Sequence, residues 1–377
     1  MTEKIGIQVP PMAGGGPNKS RPMSQKESLQ IDIARSICVF FMIGVHVYPG
    51  IRDSSFMHQG DFHWFWLVYV DYLGRASVAA LSFGAGYILY KAGMGASARK
   101  FISTRFKTVY LPMITWSAVK VLAVAVLVLG TGGGLAKLAQ QLNVDSLMTA
   151  LNTVFALTDR PANVPIAFLR DFFVSVVIAY FIYPLFRRYG AVILAVVLVL
   201  SLFRAMEPVV LRPSILLFVL AGAYLATTRW TLSDFSAARV ALPATAVLLL
   251  LSIGARYLPI SHPELAAELP NLTARASLVF LIMWVAGGLA ARSNVDEFGW
   301  IRSLLFLTFL SHSIVSQVLG EVIQRLPIDL MDPIYMVFYF GSIATFILVG
   351  WVLTKIVPLL PGWAQLALSG RQRRVAK

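Results

Sequence analysis

A series of long apolar segments constrains this chain more than any other feature. Each is about as long as the roughly 20 residues that a helix needs to cross a bilayer core. The sequence is 58% hydrophobic and only 13% charged, whereas soluble domains average about 25% charged residues. We therefore predict an all-α, polytopic membrane bundle of about ten transmembrane helices. The predicted spans are 31–50, 70–91, 108–130, 164–186, 190–207, 211–228, 239–258, 274–292, 301–321 and 333–358.

The two ends of the chain differ in composition from this apolar region. Residues 1–28 are rich in Pro, Gly and polar residues, which is typical of a disordered tail. We expect residues 29–360 to form the membrane domain and residues 361–377 to form a basic cytoplasmic tail.

The positive charge indicates the orientation of the chain in the membrane. A net charge of +14 could suggest a nucleic-acid partner, but the basic residues stand in short clusters between apolar segments. Such clusters are typical of topology signals. With the N-terminus inside, nineteen Lys and Arg residues lie on the cytoplasmic side and eight on the opposite side. We therefore predict that both termini are cytoplasmic and expect no nucleic-acid partner.

Arg35 and His46 lie in one apolar segment, eleven residues apart. At about 100° per residue, this spacing places both side chains on the same helix face, about 16 Å apart along the axis. Ionisable groups inside a membrane helix are costly and by default mark a functional path. The other interpretation of His46 is a core histidine whose hydrogen bonds are satisfied.

Further charges fall within or at the edges of the predicted spans. Lys355 is near a span end, where its side chain can reach the headgroups. Lys120 lies deeper, and a salt bridge to a neighbouring helix is as consistent with its position as a role in a site. Arg170 precedes Asp171, so a structural ion pair is the alternative to a functional role.

Arg75 precedes a segment of small residues, "RASVAALSFGAGYILY". Gly84 and Gly86 in this segment would let another helix or a ligand approach the backbone closely. Asp71 lies four residues before Arg75, and Asp32 lies three residues before Arg35. Both carboxylates are therefore predicted to be ion-pair partners on the same helix face.

Several kinds of catalytic chemistry have no signature in the sequence. The single cysteine, Cys38, falls in the first predicted span, which leaves no disulfide or thiolate metal site. We find no zinc signature, nucleophile elbow or phosphate-binding glycine loop. We therefore expect no metal cofactor.

Five motifs occur in an order and spacing that resemble the acyltransferase 3 family of membrane-bound O-acyltransferases. They cover about residues 30–370. The motifs are the Arg35 to His46 spacing, "RASVAALSFGAGYIL", "RFKTVYLPMITWS", "FLRDFFVSVVIAYFIYP" and "FLTFLSHSIVSQVL".

This resemblance implies the transfer of an acyl group, acetyl or succinyl, from a cytoplasmic acyl-CoA to a polysaccharide or lipid-linked sugar. It implies a bacterial inner-membrane enzyme of exopolysaccharide or envelope glycan biosynthesis, with membrane lipid and polysaccharide assembly proteins as partners. The implied catalytic residues are His46, as a base or an acyl acceptor, and Arg75. The implied donor-binding residues are Arg35, Arg105 and Lys107, and the implied substrate-binding or supporting residues are Tyr87, Arg170 and His312.

Two other functions fit the same pattern of spans. A glycan transporter would also have about ten spans with buried cations, although such proteins usually show paired repeats, and we see none here. A non-enzymatic membrane partner in polysaccharide export is the third possibility.

His312 also has a second interpretation, as a hydrogen-bond donor between helices.

Overall fold

The computed structural model describes residues 23–48, 63–91, 97–293, 299–326 and 333–371, and these ranges contain helices and no strand. The predicted all-α bundle is therefore confirmed. In chain order the helices are α1 (Gln25–Gly44), α2 (His63–Phe65), α3 (Arg75–Lys91), α4 (Ala98–Arg105), α5 (Leu111–Gly130), α6 (Leu135–Leu142), α7 (Leu147–Phe155), α8 (Phe168–Leu202), α9 (Pro213–Thr227), α10 (Leu232–Phe235), α11 (Ala238–Ala255), α12 (Pro263–Arg292), α13 (Gly299–Ile323), α14 (Ile334–Ile356) and α15 (Gly362–Ser369). Stretches of π-helix, Trp66–Gly74 and Phe106–Tyr110, lead into α3 and α5.

Six helical stretches within the described residues are long and apolar enough to cross a membrane, so the chain is a membrane protein. Two shorter apolar helices, Arg188–Leu202 and Pro213–Thr227, fall in the fifth and sixth predicted spans. The first two predicted spans contain α1 and α3, which are not among the six, so the count of about ten spans stays a prediction. The six stretches are Ala98–Gly130, Val164–Phe186, Ala238–Ala255, Pro263–Arg292, Trp300–Ile323 and Ile334–Leu359.

Contacts between α1, α3 and α13 define the two ends of the bundle. The Tyr87 hydroxyl, late in α3, donates to Glu27 at the start of α1, so α3 runs antiparallel to α1. Arg302, in the first turn of α13, lies 3.4 Å from Asp32 of α1. We call the end that contains Glu27, Asp32 and Arg302 the proximal end, and the opposite end, where α1 finishes and α3 begins, the distal end.

Glycines allow the close helix contacts that the small-residue segment predicts. A Cβ atom on Gly86 would lie 1.9 Å from the Val219 carbonyl oxygen of α9, and one on Gly222 would lie 1.9 Å from the Phe83 carbonyl oxygen of α3. The two backbones therefore touch at two reciprocal points. The partner that approaches the backbone at Gly86 is thus a helix, α9.

The structure also places residues of the two predicted tails. Helix α1 begins at Gln25, where Ser24 and Glu27 form a capping box, so the last residues of the predicted N-terminal tail are helical. Helix α15 lies in the predicted basic tail. The remainder of both tails, residues 1–22 and 372–377, lies outside the described residues.

Candidate active site

Two histidines that are 266 residues apart in the sequence meet inside the bundle. The ring centres of His46, just after α1, and His312, in α13, are 5.4 Å apart. Ser316, one turn beyond His312, donates a hydrogen bond from its hydroxyl to the His46 carbonyl oxygen. Helix α13 therefore contacts both the ring and the backbone of His46.

The hydrogen bonding of His312 defines which of its nitrogens is free. Its side chain is fully buried, and Nδ1 lies 2.6 Å from the Phe309 carbonyl oxygen. Because a carbonyl oxygen can only accept, the ring hydrogen lies on Nδ1. The Nε2 atom then carries a lone pair, and it has no hydrogen-bond partner among the described residues. An unpaired buried acceptor costs about 1–3 kcal/mol, so a substrate or a neighbouring group is expected to occupy it.

Lys120 of α5 lies close to His312. The sequence leaves open whether it forms a salt bridge or has a role in the site. It is buried, and its Nζ donates to the Ser313 carbonyl oxygen at 3.0 Å. Its charge acts on His312. Within the described ranges Lys120 forms no salt bridge. The structure therefore favours a role beside His312 over a salt bridge to a neighbouring helix.

Arg35 belongs to a group of arginines around one buried carboxylate at the proximal end. Arg35 and Arg302 lie 3.5 Å and 3.4 Å from the two carboxylate oxygens of Asp32. Arg105 and Arg371 are close enough to interact electrostatically with Arg35. The predicted Asp32 partner of Arg35 is confirmed. We call Arg35, Arg105, Arg302 and Arg371 the arginine cluster.

The predicted donor residues Arg105 and Lys107 lie where α4 leads into α5. The Arg105 guanidinium lies over the Phe101 ring, 5.5 Å from its centre. Its charge is also close enough to interact with that of Arg35. Lys107 is exposed and two residues further on. The structure thus brings Arg105 to Arg35, and it leaves Lys107 on the adjacent surface.

Arg75 lies at the distal end of the bundle, away from the arginine cluster. A Cβ atom on Gly74 would lie 2.0 Å from a Val45 methyl, so the start of α3 touches the end of α1 next to His46. Arg75 pairs with Asp71 at 2.6 Å, which confirms the predicted ion pair, and Arg256 lies 3.9 Å from the same carboxylate. Arg75 is therefore near the histidine end of α1.

Tyr87 and its partner Glu27 join α3 to α1 at the proximal end. The Tyr87 side chain is fully buried, and its hydroxyl donates to Glu27 at 2.7 Å. Burial raises the pKa of the Glu27 carboxyl, but hydrogen bonds from the Ser24 backbone and the Tyr87 hydroxyl outweigh it, so the pKa is lowered. This arrangement fits a supporting role for Tyr87.

Arg170 uses all five of its N–H donors within the protein. Its guanidinium pairs with Asp171 at 2.8 Å and otherwise donates to backbone carbonyls of two loops. The side chain therefore joins the start of α8 to both loops, which fits the structural ion pair and a supporting role. The carbonyl acceptors belong to Ala156, Leu157, Val209 and Pro208.

Sequence reasoning missed two residues of the arginine cluster at the proximal end. Arg302 and Arg371 were counted as topology signals, because a cation at a helix end or in a tail normally has that role. Arg302 lies ten residues before His312, almost the spacing of Arg35 and His46. That second pair of a cation and an imidazole on one helix was the signal available.

No group of three or more His, Cys, Asp or Glu side chains in the described part of the chain could hold a metal ion.

The comparisons with known proteins identify the family of the chain. Residues 28–355 match the family model of an acyltransferase domain, acyltransferase 3. The chain is 26% identical over 295 residues to the succinoglycan biosynthesis protein ExoH of Rhizobium meliloti (strain 1021), a match that covers 77% of this chain and 79% of that protein. No solved structure matches the chain. Since the family match spans nearly all of the described membrane region, the chain belongs to the acyltransferase 3 family.

Proposed function

We propose that this protein transfers an acyl group, acetyl or succinyl, from a cytoplasmic acyl-CoA to a hydroxyl of a polysaccharide or lipid-linked sugar during exopolysaccharide biosynthesis. The contact between His46 and His312 carries the proposal. It puts two imidazoles in the bundle interior, one just after α1 and one in α13. The earlier turns of these two helices hold Arg35 and Arg302. The name of the relative from Rhizobium meliloti supports the acceptor class.

His46 acts as the general base of the transfer. The acceptor hydroxyl oxygen adds to the thioester carbonyl carbon while its proton passes to an imidazole nitrogen of His46. The carbon–sulfur bond then breaks, and the same proton passes to the departing CoA thiolate. Direct acceptance of the acyl group by His46, followed by its transfer to the sugar, would use the same nitrogen.

Arg35 and Arg105 bind the donor. CoA carries several phosphate charges, and guanidinium groups bind phosphate through two parallel hydrogen bonds. Arg35 precedes His46 by eleven residues, or about 16 Å along a helix. The flexible arm of CoA joins its phosphates to the thioester and would lie along this path. Lys107 adds charge at the entrance.

Arg75, Tyr87 and Arg170 have different roles in this scheme. Arg75 lies near the His46 end of α1, and 48% of its side chain is exposed, so it is available to the oxyanion or the acceptor there. Tyr87 and Arg170 support the helices through Glu27 and the two loops.

The protein belongs in the bacterial inner membrane with both termini cytoplasmic. The supporting observation is the excess of Lys and Arg in the segments that this orientation places inside. The arginine cluster then faces the compartment that contains acyl-CoA. Polysaccharide assembly proteins would receive or supply the glycan on the other side.

The variant His46→Ala tests the function. We expect it to remove the acyl groups that depend on this protein from the polysaccharide, because the base is lost, while polymer export continues. Mass spectrometry of polysaccharide from cells with the wild-type protein, the variant or neither measures this. His262→Ala is the matched control, since His262 is exposed and pairs with Glu264. Loss of export with an unchanged acyl profile would instead indicate a transporter.

A further inference from the structure

Helix α15, the last one within the described residues, is held against the start of α5. The Trp116 indole donates to the Leu368 carbonyl oxygen at 3.0 Å. Gln365 donates to the Leu360 carbonyl oxygen at 2.8 Å, which fixes α15 to the segment that follows α14. These contacts make α15 part of the folded bundle.

A tight turn after α15 directs the chain toward the arginine cluster. Gly370 ends the helix in the left-handed region, with φ of 66°, where glycine is favoured. A Cβ atom on Gly370 would lie 2.5 Å from the Thr108 carbonyl oxygen. Arg371 follows directly, and its guanidinium lies 3.4 Å from the Ser303 hydroxyl, beside Arg302.

The charges in this region are unbalanced. Among the described residues Asp32 is the one carboxylate that forms salt bridges with the cluster, and its partners are Arg35 and Arg302. Neither Arg105 nor Arg371 forms a salt bridge there. The side chains of Arg35 and Arg302 are 37% and 43% exposed. The cluster is therefore open to a ligand that carries more than one negative charge.

We infer that Arg302 and Arg371, placed by the docked helix α15, form the phosphate-binding part of a site for a nucleotide-type acyl donor. This inference rests on the proposed function and extends it to residues outside the donor set named from the sequence. The phosphates of CoA and of an anionic lipid headgroup share the same chemistry, and the inference commits to the soluble donor. Arg371 reaches this site only because α15 packs on α5 and turns at Gly370.

Binding of CoA to the purified full chain tests the inference directly. The protein is placed in nanodiscs of phosphatidylcholine alone, and CoA binding is measured by calorimetry for wild type, Arg302→Gln and Arg371→Gln. We expect each variant to bind CoA about tenfold more weakly, because a charge-assisted hydrogen bond is lost. Arg239→Gln is the matched control, since Arg239 is exposed on α11, outside the cluster. Equal CoA affinity of both variants and wild type would overturn the inference.

Further arms separate the lipid from the donor and separate the inference from the proposed function. Repeating the titration with phosphatidylglycerol should leave the affinity within about twofold. Absence of CoA binding in phosphatidylcholine nanodiscs would overturn the inference. So would a result in which the two arginines affect only the binding of phosphatidylglycerol to the protein, and not the binding of CoA. His46→Ala should bind CoA like wild type. If CoA binding requires both arginines, the inference is supported, even where no acyl transfer is found. A lack of acyl transfer would refute the proposed function.

The contact between α15 and α5 has its own test. Trp116→Phe keeps the aromatic ring and removes the indole donor, so it should weaken CoA binding while Arg105 and Arg302 stay in place. Thermal unfolding of each variant in detergent shows whether the fold is retained. Arg371→Lys should restore part of the affinity, because Lys keeps the charge and loses the planar fork. If Arg371→Lys recovers no CoA affinity and Trp116→Phe binds CoA as wild type does, the results would contradict the placement of Arg371 by α15.

Discussion

At the scale of single residues, the two imidazoles of the candidate site differ in how they are held. The Nδ1 of His312 is bound to a carbonyl of its own helix, and its Nε2 is buried without a partner in the described structure. The His46 ring is adjacent. A small rotation of the His46 ring would let its N–H donate to Nε2 of His312, which would leave the other His46 nitrogen free as the base.

Two substitutions at His312 separate the roles of its two nitrogens. Asn places an amide donor near the position of Nδ1 and has no atom at Nε2, whereas Gln reaches the position of Nε2 with an acceptor oxygen. We expect His312→Gln to retain much of kcat and His312→Asn to lose about 10²-fold, with similar KM for the donor. The measurement is labelled acyl transfer into polysaccharide in membrane vesicles, normalised to protein level. A similar kcat for both variants would exclude a role for Nε2.

At the scale of helices, α3 and α9 make the closest backbone approach in the glycine contacts. Their reciprocal contacts at Gly86 and Gly222 allow no side chain. Small residues at such interfaces are common in membranes, where packing rather than hydrophobic burial drives helix association. The segment "FGAGY" predicted this approach, but hydropathy could not identify α9 as the partner, since every face of a membrane helix is apolar.

A glycine substitution tests the α3 and α9 interface. Gly86→Ala should destabilise the protein by about 1–3 kcal/mol, because the new methyl group overlaps the Val219 carbonyl and the helices must separate. Gly288→Ala in α12 is the control, since no atom lies within 4 Å of its Cβ position and Ala favours helix over Gly. Thermal unfolding in detergent compares the two, and equal melting temperatures would contradict the packing described here.

At the scale of the whole molecule, the apolar segments and the charge bias predict a helical membrane bundle and an orientation. The bundle is confirmed, because hydropathy alone decides it. The site was predictable only in part. Arg35 and Asp32 share α1, and His46 follows the end of that helix by two residues, so their spacing is visible in the sequence. Arg302 and Arg371 come together with them only through the packing of α13 and α15, and their residue types resemble ordinary topology signals.

The orientation can be tested because the chain contains one cysteine, Cys38, and it is buried. Single cysteines introduced at exposed positions are then the reactive thiols. We expect Lys137→Cys to react with a membrane-impermeant maleimide in intact spheroplasts and Ser233→Cys to react only after lysis, because the charge bias places Ser233 inside. The opposite pattern of labelling would reverse the orientation and move the arginine cluster away from cytoplasmic acyl-CoA.

Helices α1 and α13 run in the same direction, and the arginine in each is followed ten or eleven residues later by a histidine, just after the end of α1 and within α13. The two helices touch at Asp32 and Arg302 near one end and at His46 and His312 further along. A shift of one helix along the other by a single turn, about 5.4 Å, would separate both pairs at once. The register between these two helices therefore decides together whether the donor-binding end and the transfer end are assembled.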